Sequence, residues 1–161
     1  MNLAEYNKSV DLYADSIYRF VLKNLKDSEK SKDIIQDVFA KVWVKAENIN
    51  YEKIKSYLFT SAYHTMLDYI KKDKRMTSLE GSNIPEQGYE KEYTGLSEVL
   101  ENALDTIPEI QKTVILLRDY EGYSYDEIGE ITDLKEAQVK VYIYRGRKAL
   151  QKYLVKIENV I

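Results

Sequence analysis

Asp119-Tyr-Glu-Gly-Tyr-Ser-Tyr-Asp-Glu-Ile-Gly-Glu-Ile-Thr-Asp-Leu-Lys-Glu-Ala-Gln-Val-Lys-Val-Tyr-Ile-Tyr-Arg-Gly-Arg-Lys148 is the stretch that decides how this chain folds. Ser124 can cap a short helix in which Ile128 and Ile131 face inward. Thr132-Asp133-Leu134 can turn the chain, and Lys135 to Tyr153 keeps the period of a longer second helix. Short helix, tight turn and longer helix are the grammar of a helix-turn-helix. The second helix is also basic: between Lys135 and Lys156, seven cationic residues stand against Glu136 alone, a local balance of +6. Such a stripe fits a phosphate backbone. A solvated basic face on a bundle helix carries the same pattern, so the stretch by itself leaves both readings open.

Upstream of it, Pro108 opens a helix over Glu109 to Tyr120, whose Ile110, Val114, Ile115 and Leu117 are the most apolar local run; Gly122 marks its end. A helix before that begins near Leu96. Residues 76–95 hold Gly81, Pro85, Gly88 and Gly95 among acids and few aliphatic side chains, the composition of a linker. The N-terminal block reads as three helices. The first runs from Leu12 to Lys26, with Leu12, Ile17, Phe20, Val21 and Leu25 in period. The second starts near Ser31, its cap, and stacks Ile34, Val38 and Val42 inward while Asp33, Gln36, Asp37 and Lys41 stay outside. The third covers Ser56 to Lys72 and ends in the basic run Lys71 to Arg75, where cations also suit a helix dipole. Between the second and third, Glu47 to Lys55 is a short polar connection. The expectation is an all-α fold: two small helical domains joined by a flexible acidic linker, residues 1–75 and 96–161 around 76–95, the second domain a helix-turn-helix.

Composition narrows the functions available. The chain of 161 residues is 44% hydrophobic, enough for packed cores, and its 15 tyrosines against 3 phenylalanines favour half-buried aromatics with the hydroxyl in water. With no cysteine and one histidine, disulfides and thiolate or histidine-rich metal sites are excluded. No glycine-rich phosphate loop, Ser/His/Asp set or ligand cluster is present, so no catalytic residues, metal or cofactor are expected. The N-terminus lacks the apolar run of a signal peptide and no stretch approaches a membrane span; a cytoplasmic protein without membrane insertion is expected. Net charge is −3, but it is polarised: +3 over residues 1–75, −5 over 76–101 and −1 over 102–161, where the basic helix is offset by acids around it.

Three blocks together resemble the extracytoplasmic-function sigma factors, the smallest bacterial members of the sigma-70 family of RNA polymerase initiation factors. They are Asp33-Ile-Ile-Gln-Asp-Val-Phe-Ala-Lys-Val-Trp43, Tyr57-Leu-Phe-Thr-Ser-Ala-Tyr-His-Thr-Met-Leu-Asp-Tyr-Ile-Lys-Lys72, and Leu104 through Leu150. The resemblance covers nearly the whole chain. It implies a factor that binds core RNA polymerase, directs it to specific promoters and assists DNA opening. Asp33, Gln36, Asp37 and Lys41 would then face the clamp helices of the polymerase's largest subunit. A flap of the second-largest subunit and an anti-sigma protein are further implied partners. Asn48, Asn50, Tyr51 and Lys53, with His64 and Asp68 where the family commonly has asparagine, would hold the −10 element as a single strand. Captured bases would drive melting at about 1–3 kcal/mol per stacked base. Lys135, Gln138, Lys140, Val141 and Tyr144 would face the −35 major groove, with Arg145, Arg147 and Lys148 near phosphates. The departures at Val141 and Tyr142, where many relatives carry small polar or basic residues, bear on sequence preference. The competing reading is a helix-turn-helix regulator that binds duplex DNA without being a polymerase subunit; it requires a sensor domain that residues 1–75 do not resemble.

Overall fold

The computed structural model describes the backbone of residues 1–80 and 95–160 and the side chains of 1–76 and 98–156. The chain divides into two compact units, Met1–Tyr89 and Glu90–Ile161. Among the described residues every regular element is helical.

The first unit is a three-helix core. Helix α1 (Leu3–Leu25) opens on a capping box: the Asn2 side chain accepts from the Glu5 N–H at 2.8 Å, and the Glu5 carboxylate accepts from the Asn2 N–H at 3.0 Å. The helix therefore starts well before the expected Leu12. Leu12 itself is exposed, because Ser9, Ile17, Phe20 and Val21 define a buried stripe that it lies off. Ser9 fits the stripe because its hydroxyl donates to the Tyr6 carbonyl at 2.7 Å.

Helix α2 (Ser28–Val44) is capped by Asp27, not Ser31. The Asp27 carboxylate accepts from the Lys30 N–H at 3.1 Å, and Ser31, buried one turn in, donates its hydroxyl back to the Asp27 carbonyl at 2.7 Å. Ile34, Val38 and Val42 are fully buried at the predicted spacing.

Two 3-10 turns, Ala46–Asn48 and Tyr51–Lys53, make the connection to α3 (Ile54–Glu80). Buried Ala46, Ile49 and Ile54 pin it to the core, and the Met1 ammonium donates to the Ala46 and Ile49 carbonyls at 3.0 Å each. Helix α3 begins at Ile54 instead of Ser56 and continues beyond Lys72. The basic run Lys71 to Arg75 is thus interior to the helix, and the dipole of a last turn does not account for it. It also takes residues 76–80 out of the expected linker; residues 81–94 lie outside the described residues. Leu58, Phe59, Ala62 and Met66 of α3 close the core, with Phe20 and Phe59 centroids 5.8 Å apart. Each large apolar side chain removed from water contributes about 1.5–3 kcal/mol.

The second unit contains α4 (Gly95–Asp105), α5 (Glu109–Ile115), α6 (Tyr125–Thr132) and α7 (Glu136–Val160). The helix expected over Glu109 to Tyr120 is not uniform: Leu116–Tyr120 widens to a π-helical turn, in which the Glu121 N–H donates to the Leu116 carbonyl at 3.1 Å. Gly122, at φ +75°, then reverses the chain. Ser124 caps α6 as predicted, in a capping box with Glu127. Asp133, at φ 59°, supplies the left-handed residue of the turn into α7. Ile128, Ile131, Val139 and Ile143 are buried against Ile115, Leu116, Leu117 and Tyr123. Tyr123 is fully buried, an exception to the expected half-buried tyrosines; its carbonyl accepts from the Arg118 guanidinium at 2.8 Å.

Candidate nucleic-acid interface

Helix α7 is amphipathic in the way a groove-reading helix must be. Val139, Ile143 and Gly146 are buried, which turns Ala137, Gln138, Lys140, Val141, Tyr144, Arg145 and Lys148 outward, all exposed. Val141 and Tyr144 are large apolar side chains left 42% and 62% exposed in the middle of this face, where a folded core alone gives no reason for them. The cations are not equivalent. The Lys148 ammonium sits over the Tyr144 ring at 5.4 Å. Lys140 pairs with Glu136 at 3.4 Å one turn back and approaches the Tyr125 ring at 5.5 Å, on whose face the Arg118 guanidinium also lies at 4.5 Å. Arg147 is set apart: its guanidinium donates two hydrogen bonds to Asp119, at 2.5 and 3.2 Å, and that carboxylate raises its pKa further above the ordinary arginine value. Arg147 thereby braces α7 against the end of the π turn.

Lys135 precedes the helix, and its backbone N–H donates to the Gln138 Oε1 at 3.0 Å. Gln138 is therefore both an exposed side chain of the face and the acceptor that satisfies the N–H of Lys135, the residue before the helix. Gln138, Val141 and Arg145 line, with Ala137 and Tyr142, an open surface depression of about 270 Å³.

In the first unit, Asp33, Gln36, Asp37 and Lys41 form one exposed row along α2. Tyr69 of α3 lies beside it: burial first, then the charges of Asp37 and Asp33, push its hydroxyl above the ordinary tyrosine pKa. Lys30 and Asp73 pair between the same two helices. Across the connection, Asn48 and Lys53 are exposed and Tyr51 is half-buried. Asn50 is partly committed, since its Oδ1 accepts from the Glu52 N–H at 3.1 Å. His64 and Asp68 are exposed on α3, four residues apart and so on one face, with Tyr57 two turns before His64 on the same stripe. Tyr57 belongs among the candidates; its spacing to His64 was the available signal. Asp119 and Tyr125, which meet Arg147 and Lys140, had no such signal because those partners are distant in sequence.

Among the described residues no group of three His, Asp or Glu side chains could hold a metal ion, and no helix is long and apolar enough to cross a membrane.

With this geometry in place, the comparisons with known proteins assign the family. Sigma-70 region 2 matches residues 10–76, and sigma-70 region 4 matches residues 97–150. RNA polymerase sigma factor SigV of Bacillus subtilis (strain 168) is 30% identical over 147 residues, covering 89% of this chain and 87% of the relative. ECF RNA polymerase sigma factor SigW of the same organism is 30% identical over 161 residues, covering 90% and 86%. The sigma factor RpoE of Bartonella quintana, solved in complex with the anti-sigma factor NepR, superposes with a TM-score of 0.83 at 22% identity, over 94% of this chain and 98% of that one, and so shares the fold. The chain belongs to the extracytoplasmic-function sigma factors of the sigma-70 family. It is an RNA polymerase initiation factor that acts at specific promoters, a class whose members are not enzymes. Matches at both ends of the chain leave the free-standing helix-turn-helix regulator without support.

Proposed function

We propose that the two units divide promoter recognition. The Asp33, Gln36, Asp37 and Lys41 row docks on the clamp helices of the polymerase's largest subunit. Asn48, Asn50, Tyr51 and Lys53, with His64 and Asp68, take the −10 element as single strand. Tyr51 and Tyr57 offer faces for unstacked bases, each worth about 1–3 kcal/mol, and an initiation factor without a nucleotide-driven motor needs binding of that order to hold strands apart. Lys135, Gln138, Lys140, Val141 and Tyr144 read the −35 major groove. Arg145 and Lys148 meet phosphates, and Arg147 lies alongside them while holding Asp119. A flap of the second-largest subunit engages the second unit, and an anti-sigma protein regulates the factor; the Bartonella relative, solved with one, supports the latter.

The observation that carries the reading is the outward face of α7, apolar at its centre and cationic at its rim, on a helix whose opposite side is buried at Val139, Ile143 and Gly146. Its test is reconstitution. The chain should co-elute with core polymerase and support a transcript that starts at one promoter and not at another. Asp37→Arg should abolish co-elution by reversing a charge in the middle of the docking row, and Lys148→Ala should spare co-elution while weakening promoter binding. A chain that elutes apart from core, or a holoenzyme that initiates without regard to promoter, would sink the proposal.

A further inference from the structure

We infer that Gln138 and Val141 form a reader for thymine, and that this factor's −35 preference includes a thymine at the base pair they meet. The inference rests on α7 being the helix that enters the −35 duplex.

A glutamine ordinarily presents one acceptor and two donors, and so can satisfy adenine's acceptor and donor at once. Gln138 cannot. The Lys135 N–H is one of the donors that a helix start leaves without an intrahelical partner, and of the two amide heavy atoms only Oε1 can accept from it, as the 3.0 Å contact records. That contact sets the amide's orientation: Oε1 turns to the helix start, and Nε2 is the atom left to donate to a base. One turn on, Val141 lines the same depression, its methyl groups exposed beside Ala137. The surface offered to a base edge is a donor next to an apolar wall.

Only one base complements both parts in the major groove. Cytosine presents its amino group, donor against donor. Adenine offers N7 but sets its amino group beside it. Guanine accepts through O6 and N7 yet has nothing apolar for Val141. Thymine places the O4 acceptor next to the C5 methyl. Arg145, at the rim of the depression, is exposed and available for a phosphate.

The test uses holoenzyme assembled from the full chain and core RNA polymerase, with duplexes randomised across the −35 segment. Bound duplexes should be enriched for thymine at one position. Replacing that thymidine by deoxyuridine removes the methyl and keeps O4. It should weaken wild-type binding about fourfold, the worth of one buried methyl, and leave Val141→Ala almost unaffected. Gln138→Glu keeps the cap acceptor but turns the outward group into an acceptor, and should shift the preferred base at that position towards cytosine, whose amino group donates. An equal deoxyuridine penalty in wild type and Val141→Ala, or an unchanged preference in Gln138→Glu, would overturn the thymine reader. The parent reading fails separately: if Arg145→Ala with Lys148→Ala leaves duplex binding unweakened, α7 is not in the groove at all.

Discussion

Gly129 and Gly146 show how a single hydrogen atom sets the seating of α6 and α7. A Cβ on Gly129 would stand 2.7 Å from the Leu134 carbonyl oxygen, a backbone atom that the turn at Asp133 holds in place. Gly129→Ala gains helix propensity of about 1 kcal/mol but incurs an overpacking cost of about 1–3 kcal/mol with nothing able to yield. The expected result is a lower Tm for the second unit and displaced α7 reading residues, checked by thermal melting and by lost −35 selectivity. At Gly146 the obstruction is different: the Cβ would meet Ile115 Cδ1 at 2.4 Å, the tip of a side chain. Gly146→Ala should destabilise the fold, and Ile115→Val, which deletes that tip, should recover most of the loss even though it costs about 0.5–1.5 kcal/mol alone. A double-mutant cycle in denaturant measures the coupling; additive losses would show that the contact is not what keeps position 146 free of a side chain.

At the level of the helices, α4 and α5 are joined by a charge that the interior disfavours. The Lys112 side chain is only 9% exposed and donates to Asp105 at 3.0 Å, and burial lowers its pKa below the ordinary 10.5, against the opposing pull of Glu101 and Glu109. Because the folded chain gives up this proton more readily than the unfolded chain, the unfolded state binds more protons in the window between the two pKa values. Stability from this group therefore rises with pH as 10.5 is approached. Wild type should gain stability relative to Lys112→Met between pH 8 and pH 10, and Lys112→Met should be near neutral at pH 7, since an apolar side chain of similar volume avoids the desolvation. Asp105→Ala, which leaves the ammonium without its closest partner, should cost about 1–3 kcal/mol at pH 7. Equal pH dependence for wild type and Lys112→Met would refute the assignment. Nothing in the sequence announced Lys112 as a buried lysine. What was legible was local: Ser124 with Glu127 three residues on, Ile128 and Ile131 facing inward, Ile34, Val38 and Val42 in period. Asp27 and Ser31 both have cap chemistry and stand four residues apart, so sequence alone could not choose between them; the extended backbone at Asp27 and the carbonyl it offers to the Ser31 hydroxyl decide it. The Arg147 to Asp119 brace joins residues 28 positions apart, a separation that no local pattern reports.

Taken as a whole the chain is net acidic, at −3, and yet the proposed reading brings its α7 face up to a polyanion. The favourable term is local and steeply screened, with a Debye length near 8 Å at physiological salt, while the remainder of the molecule contributes repulsion. Free in solution, the chain should therefore bind a −35 duplex weakly. On the proposed docking through the α2 row, the same helix would meet its site at a high effective concentration without any new contact. Each phosphate neutralised adds about −0.9 to the slope of log affinity against log salt, which separates the cations by role. For the holoenzyme, Arg145→Ala and Lys148→Ala should each shallow the slope by about one, since both side chains are exposed on the groove face. Arg147→Ala should leave the slope nearly unchanged, because that guanidinium already answers to Asp119, and should lower instead the thermal stability of the second unit. A full unit of slope lost at Arg147 would mean that Asp119 releases it when DNA arrives, making the ion pair a latch that promoter phosphates open instead of a brace.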